Sequence, residues 1–210
     1  MSNIGLFYVG AVLLLNGLSL LGVITLRAAA PMNLFVGALQ CVIPTVLMLQ
    51  ADNDGTLLVQ ASGLYLFGFT YLFVGIAGLT GLDLHGLGWF SLFVAVAAVS
   101  YAGVSAYALG DLFSVVLWLS WALLWGLFFL LFALNRTAVQ TFTGWSTVLL
   151  SQATCTVPAM ALLAGYQPTQ TGTVTLAGTV VILIGVAAAL SRRASAVGDT
   201  AAHRTLADAA

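Results

Sequence analysis

Seven apolar stretches run along the chain, at 4–26, 32–50, 57–80, 87–109, 112–134, 144–166 and 172–190. Each approaches the ~20 residues that a helix needs to cross the hydrocarbon core of a bilayer. Glycines are scattered through the stretches rather than gathered in the breaks, as close packing of helices between small residues requires. Transmembrane strands would give short alternating segments separated by turns, and the chain has none. The pattern predicts an all-α integral membrane protein, with a transmembrane domain over 1–190 and a small, polar tail over 191–210 that lacks periodicity and extends into the cytoplasm.

Composition supports this reading. Of 210 residues, 61% are hydrophobic and 5% charged, and there is no lysine and no glutamate. Soluble domains carry about 25% charged residues, and eleven charges cannot cover the surface of a soluble protein of this length. The first stretch has no positive charge before it and Arg27 after it, the reverse of a secretory signal, so it is expected to remain as a span. Arg27 lies between spans one and two, Arg136 between five and six, and Arg192, Arg193 and Arg204 after span seven. Seven crossings with the N-terminus outside place all five arginines in the cytoplasm.

A weak repeat is visible. "NLFVG" at 33–37 resembles "SLFVA" at 91–95, and "GW" at 88–89 recurs at 144–145, offsets of 58 and 56 residues. Three helical hairpins followed by one further helix is the parse this suggests, set against chance similarity between apolar segments.

Few residues offer chemistry. Cys41 and Cys155 both fall within spans and read as small buried hydrophobes. Neither His85 nor His203 has further ligands at metal spacing, so no metal or other cofactor is expected. No span carries a charge at mid-membrane, where ion pathways and proton relays place one. The absence of lysine rules out a retinal Schiff base, and no nucleotide loop, catalytic triad or HExxH is present, so no enzyme is expected. No basic patch exists for nucleic acid.

Three stripes remain. Leu6, Val9, Leu13 and Asn16 fall on one face of the first span. Phe67 and Tyr71 share a face of the third. Trp118, Trp121 and Trp125, with Leu124 beside them, lie on the fifth, away from the interfacial positions where lipid-facing tryptophans gather. These stripes either pack helices or line a path; an uncharged aromatic lining suits a flat, neutral, polar solute.

Taken together and in order, "LFYVGAVLLLNG", "MNLFVG", "LFGFTYLF", "GLD" followed by "WFSLFVA", and "LWLSWALLW" resemble the AmiS/UreI family of bacterial urea and short-chain amide channels. The resemblance runs from residue 6 to about 166. It implies a homo-hexamer in the bacterial inner membrane, each protomer a six-helix bundle with its own pore. By motif, Val9 and Leu13 match narrow aliphatic positions of the family's lumen, Phe67 and Tyr71 its "FGFTY" aromatics, and Trp118, Trp121, Leu124 and Trp125 its tryptophan-rich helix. Their indole N–H groups would then be free to donate to a solute carbonyl.

The chain departs from the family's acid-activated member in three ways. Leu150, with Gln152 nearby, stands where that member has a lumen glutamate. The outer loops offer Asp52, Asp54 and Asp111 but no histidine. A seventh span follows the six, as in the amide-transporter branch. The expectation is a passive channel for urea or short aliphatic amides, not gated by acid, feeding a cytoplasmic amidase or urease. The alternatives are a coupled secondary amide transporter and a membrane structural protein that transports nothing.

Overall fold

A computed structural model of the chain describes residues 2–208 and places side chains over 3–194. Helix is the only regular structure among the described residues. Seven segments are long and apolar enough to cross a membrane, from Asn3–Leu20 to Gln170–Ala194. The elements are α1 (Ser2–Leu20), α2 (Leu26–Leu49), α3 (Gly55–Thr80), α4 (His85–Tyr107), α5 (Leu112–Phe128), α6 (Gln140–Ser151), α7 (Val157–Leu163) and α8 (Gln170–Asp208). A π turn, Phe129–Ala133, extends α5, and another, Gln152–Thr156, joins α6 to α7 into one span.

Local chemistry sets the ends. Gly22, at φ +75°, turns the chain out of α1. The Thr25 hydroxyl then accepts the Ala28 N–H at 3.1 Å and opens α2. The first span therefore stops six residues before its expected end, and Arg27 sits in the first turn of α2 rather than in a loop. Asp54 and Asp111 are not merely loop charges, because each caps a helix. Asp54 accepts the N–H of Thr56 at 2.8 Å and Asp111 that of Ser114 at 3.0 Å. A carboxylate at a helix N-terminus satisfies orphan donors and complements the dipole. The last helix passes the expected end of span seven and continues through residues expected to be irregular, as far as Asp208.

The six spans from α1 to α7 close into a ring, and α8 lies outside it against α5, α6 and the second π turn. Successive spans run antiparallel. One rim therefore carries Arg27, Asp83, His85 and Arg136, and the other carries Asp52, Asp54 and Asp111. They are called here the arginine end and the aspartate end.

The tight contacts alternate around the ring. α2 packs closely on α3, α4 on α5, and α6 on α1, whereas α1/α2, α3/α4 and α5/α6 are looser. The tight pairs meet at equivalent places. A methyl group on Gly17 would lie 3.0 Å from the Gly144 carbonyl oxygen, one on Gly75 3.1 Å from that of Ala30, and one on Gly88 2.8 Å from the Ala133 Cα. Gly17, Gly75 and Ala133 are 58 residues apart, and Ala30, Gly88 and Gly144 are 58 and 56 apart. The hairpin repeat hinted at by two short motifs is thus a three-fold arrangement of helix pairs.

The third repeat carries one extra residue. Near the arginine end, Gly17 faces Val148 as Gly75 faces Leu34, a difference of 114 positions; further along, Gly10 faces Thr156 as Gly68 faces Cys41, a difference of 115. The residue gained between these contacts is absorbed by the π turn Gln152–Thr156, whose wider winding accommodates an insertion without breaking the span.

Candidate functional site

The odd-numbered helices α1, α3 and α5 supply most of the ring's interior. Val9, Phe67 and Trp125 come from the three of them at intervals of 58 residues and meet near the middle of the bundle. They are 2%, 3% and 0% exposed, so no water-sized sphere passes this layer. Phe67 is its hub, with ring centroids 5.8, 5.1 and 5.0 Å from those of Trp118, Trp121 and Trp125.

A cavity lies on either side. Toward the aspartate end, a space of about 290 Å³ is bounded by Leu6, Gln60, Tyr101, Asp111, Trp118 and Trp121, among others. Toward the arginine end, a space of about 100 Å³ is bounded by Leu13, Asn16, Thr70, Tyr71, Ser91, Phe128 and Phe132, with further apolar neighbours. A further space of about 770 Å³ is an apolar groove between α6–α7 and α8. It lies outside the ring and touches none of the residues of the central layer.

The sequence-selected residues therefore separate by depth. Leu6, Trp118 and Trp121 line the first cavity; Val9, Phe67 and Trp125 form the layer; Leu13, Asn16 and Tyr71 line the second cavity. Leu124 is fully buried in the surrounding core and lines neither cavity. Packing and lining are not exclusive for the aromatic stripe, since the same rings do both.

The hydrogen bonds correct one expectation. Trp121 Nε1 donates to Thr154 Oγ1 and Trp125 Nε1 to Thr70 Oγ1, each at 3.1 Å. Each threonine hydroxyl donates in turn to its own helix, Thr154 to the Leu150 carbonyl and Thr70 to that of Leu66. Both indole N–H groups are engaged, and what these rings leave without a hydrogen bond is carbon. A buried indole N–H with no partner is costly, which is why the fold supplies one. Trp118 alone of the three has no bond to its N–H within the described residues. Its ring is sandwiched between Phe67 and Tyr101, at 20° and 18° to their planes. Gly63 makes room for it, because a methyl group there would lie 2.8 Å from the Trp118 ring.

Asn16 satisfies its amide as an intramembrane amide must. Asn16 and Asn33 exchange hydrogen bonds, Nδ2 to Oδ1, at 2.9 and 2.7 Å, and Asn33 also donates to the Ala29 carbonyl. Leu150 is completely buried in the core. Gln152 does not approach the axis; it lines the outer groove and donates to Ser151 Oγ. Both cysteines are free thiols, Cys155 buried and Cys41 half-buried. Among the described residues, no group of three or more His, Cys, Asp or Glu side chains could hold a metal.

Sequence reasoning missed Thr70, Thr154, Asn33, Ser91, Phe128 and Phe132. The 58-residue interval would have reached some of them: Asn16, Val74 and Phe132 are one such set, and all three line the second cavity.

Comparison with known proteins agrees with this architecture. The model of the AmiS/UreI family of transporters matches residues 1–166. The chain is 52% identical to the putative transporter protein AmiS2 of Rhodococcus erythropolis, over 94% of this chain and 96% of that one. It is 48% identical to a putative amidate substrates transporter protein of Mycolicibacterium smegmatis, over 90% and 86%. It superimposes on the urea channel of Helicobacter pylori in the closed state with a TM-score of 0.72 at 31% identity, covering 80% of this chain and all of that one. α8 is the part left over, since the family match stops before it.

Proposed function

From the premise that the chain belongs to the AmiS/UreI family of transporters, and is thus a multi-pass membrane protein, we propose that it is a passive channel for urea and short aliphatic amides. The observation that carries the reading is the stack along one axis: two cavities separated by a single uncharged layer, Val9, Phe67 and Trp125. An ion crossing such a layer loses its hydration and meets no compensating charge, a cost of several kcal/mol or more. A neutral planar amide loses far less, and it exchanges water for contact with aromatic faces. The layer is closed in this structure, so passage requires brief side-chain movement; rotamer changes are fast enough to allow it.

The names of the relatives point the same way: two long matches are named as transporters, one of amidate substrates, and more distant ones as urea channels. The reading includes the bacterial inner membrane, the arginine end in the cytoplasm, a hexamer in which each protomer carries its own path, and delivery to a cytoplasmic amidase or urease. Acid gating is not part of it. No aspartate, glutamate or histidine side chain lines the second cavity, and Asp111, which lines the first, caps a helix.

The rival within the family name is a coupled transporter. Uptake of labelled acetamide by cells expressing the protein separates the two. A passive channel equilibrates the label in both directions at a rate unchanged by a protonophore or by removal of sodium. Accumulation above the external concentration, abolished by either treatment, would contradict the proposal.

A further inference from the structure

α8 lies against α5, α6 and the second π turn but makes no comparable contact with α7. Val180 and Ala187 are buried where it meets the ring, whereas every residue from 170 to 179 is exposed or half-exposed. The helix thus stands away from α7 toward the aspartate end, and the wedge it leaves is the apolar groove of about 770 Å³. We propose that this groove binds one acyl chain of a phospholipid from the leaflet at the aspartate end.

Depth is the first reason. Along α8 the lining runs from Thr171 to Leu183 on one helical face. At ~1.5 Å per residue this stretch rises about 18 Å, close to the ~15 Å of hydrocarbon that one leaflet contributes. Thr171 stands at the aspartate end of the span Gln170–Ala194 and Leu183 near its midpoint. The groove therefore opens at the level of one leaflet's headgroups and ends near the bilayer midplane.

The lining is the second reason. Val148, Leu149, Ala153 and Pro158 form one wall, and Leu176 and Leu183 belong to the other. Hydroxyl groups gather at the mouth, on Tyr166, Thr169 and Thr171, where the glycerol esters of a lipid would lie. Thr175 and Thr179 follow lower on α8, where a threonine hydroxyl can turn to its own helix. Gln152, the one amide in the wall, donates to Ser151 Oγ. No charged side chain lines the groove, so it takes hydrocarbon and not a headgroup. Left empty, its walls would forfeit the dispersion contacts that a chain supplies. Gln152 and Ala153 belong to the π turn whose Thr154 receives the Trp121 N–H, so the chain would pack against an element that places a ring of the interior.

The test is photolabelling in vesicles of phosphatidylethanolamine and phosphatidylglycerol that contain a little phosphatidylcholine with a diazirine halfway along one acyl chain. Labelled residues are located by mass spectrometry of peptides. Val174 and Val181 are exposed on the opposite face of the same helix and report ordinary lipid contact. Leu149 and Leu176 should carry at least about threefold more label than these two, as a retained chain requires. Equal labelling would mean passing lipid alone. Weaker labelling in the groove would mean that protein, such as a second copy of the chain, covers it. Either result overturns the proposal. Thr175→Trp fills the groove from an exposed lip and should lower the label on Leu149 at least about threefold, with Val174 and Val181 unchanged. Label on Leu149 that persists in the folded variant would also overturn the proposal. Ala161→Trp, on the facing wall, makes the same test should the first variant not fold.

Discussion

Trp121 and Trp125 differ from the other tryptophans in being locked. Each N–H ends on a threonine that is itself back-bonded to its helix, so the ring has one place to sit. Trp89 is half exposed at the start of α4 and donates to His85 Nε2 at 3.2 Å; Trp145 is half-buried on α6. Trp121→Ala and Trp125→Ala should therefore change amide permeability or selectivity severalfold, and Trp89→Ala and Trp145→Ala by less than about twofold. Equal effects at all four positions in folded protein would reduce the stripe to packing. The threonines allow a finer test. Thr70→Val and Thr154→Val each leave a buried indole N–H without a partner, costing about 1–3 kcal/mol in stability, and Ser at either site should restore most of the loss. The ultraviolet resonance Raman signature of the indole N–H should report the lost bond in the Val variants alone. Unaltered spectra would mean that the rings are placed by packing. The aromatic stripe was legible because spacings of three and four put it on one helical face. The locks were not, because Thr70 is 55 residues from Trp125 and Thr154 33 from Trp121, and only the closed ring brings them together.

Helix by helix, the seven spans could be read from apolar length alone, whereas their ends could not. A threonine and two aspartates decide where helices start, and the first span ends early because Gly22 and Thr25 redirect the chain. The repeat was visible in two short motifs, but its strongest marks are small residues at intervals of 58 and 56, which carry no signal until the tight pairs are known. Those pairs give a direct test. A methyl group at Gly88 collides with the Ala133 backbone, whereas one at Gly126 meets nothing within 4 Å. Gly88→Ala should lower stability by about 1–3 kcal/mol, while Gly126→Ala should leave it unchanged or slightly improved by better helix propensity. Indistinguishable unfolding midpoints would contradict the helix pairing. The inserted residue in α6–α7 belongs at this scale too. The π turn that absorbs it contains Thr154, so an irregularity in the third repeat holds the hydroxyl that fixes Trp121.

The whole molecule is a three-fold ring of helix pairs around a central layer that carries no charge, and an eighth helix, α8, lies outside the ring. Its described charges are all exposed except Asp111, which is half-buried, so the protein places charge at its rims and carbon on its axis. The resemblance read from five motifs named the family. It did not yield the closed state of the layer or the saturation of two indole donors, which depend on distances between helices. The central claim is that this layer passes neutral amides and excludes ions. It is tested most directly by stopped-flow light scattering on proteoliposomes with urea and acetamide gradients, alongside an ion-flux control, at external pH about 7.5 and about 5, a range that spans histidine titration. The account predicts entry of urea or acetamide well above that of empty vesicles, no ion flux, and rates that agree within about twofold between the two pH values. Permeabilities equal to those of empty vesicles for both solutes would contradict it, and measurable ion conductance would contradict the role assigned to Val9, Phe67 and Trp125.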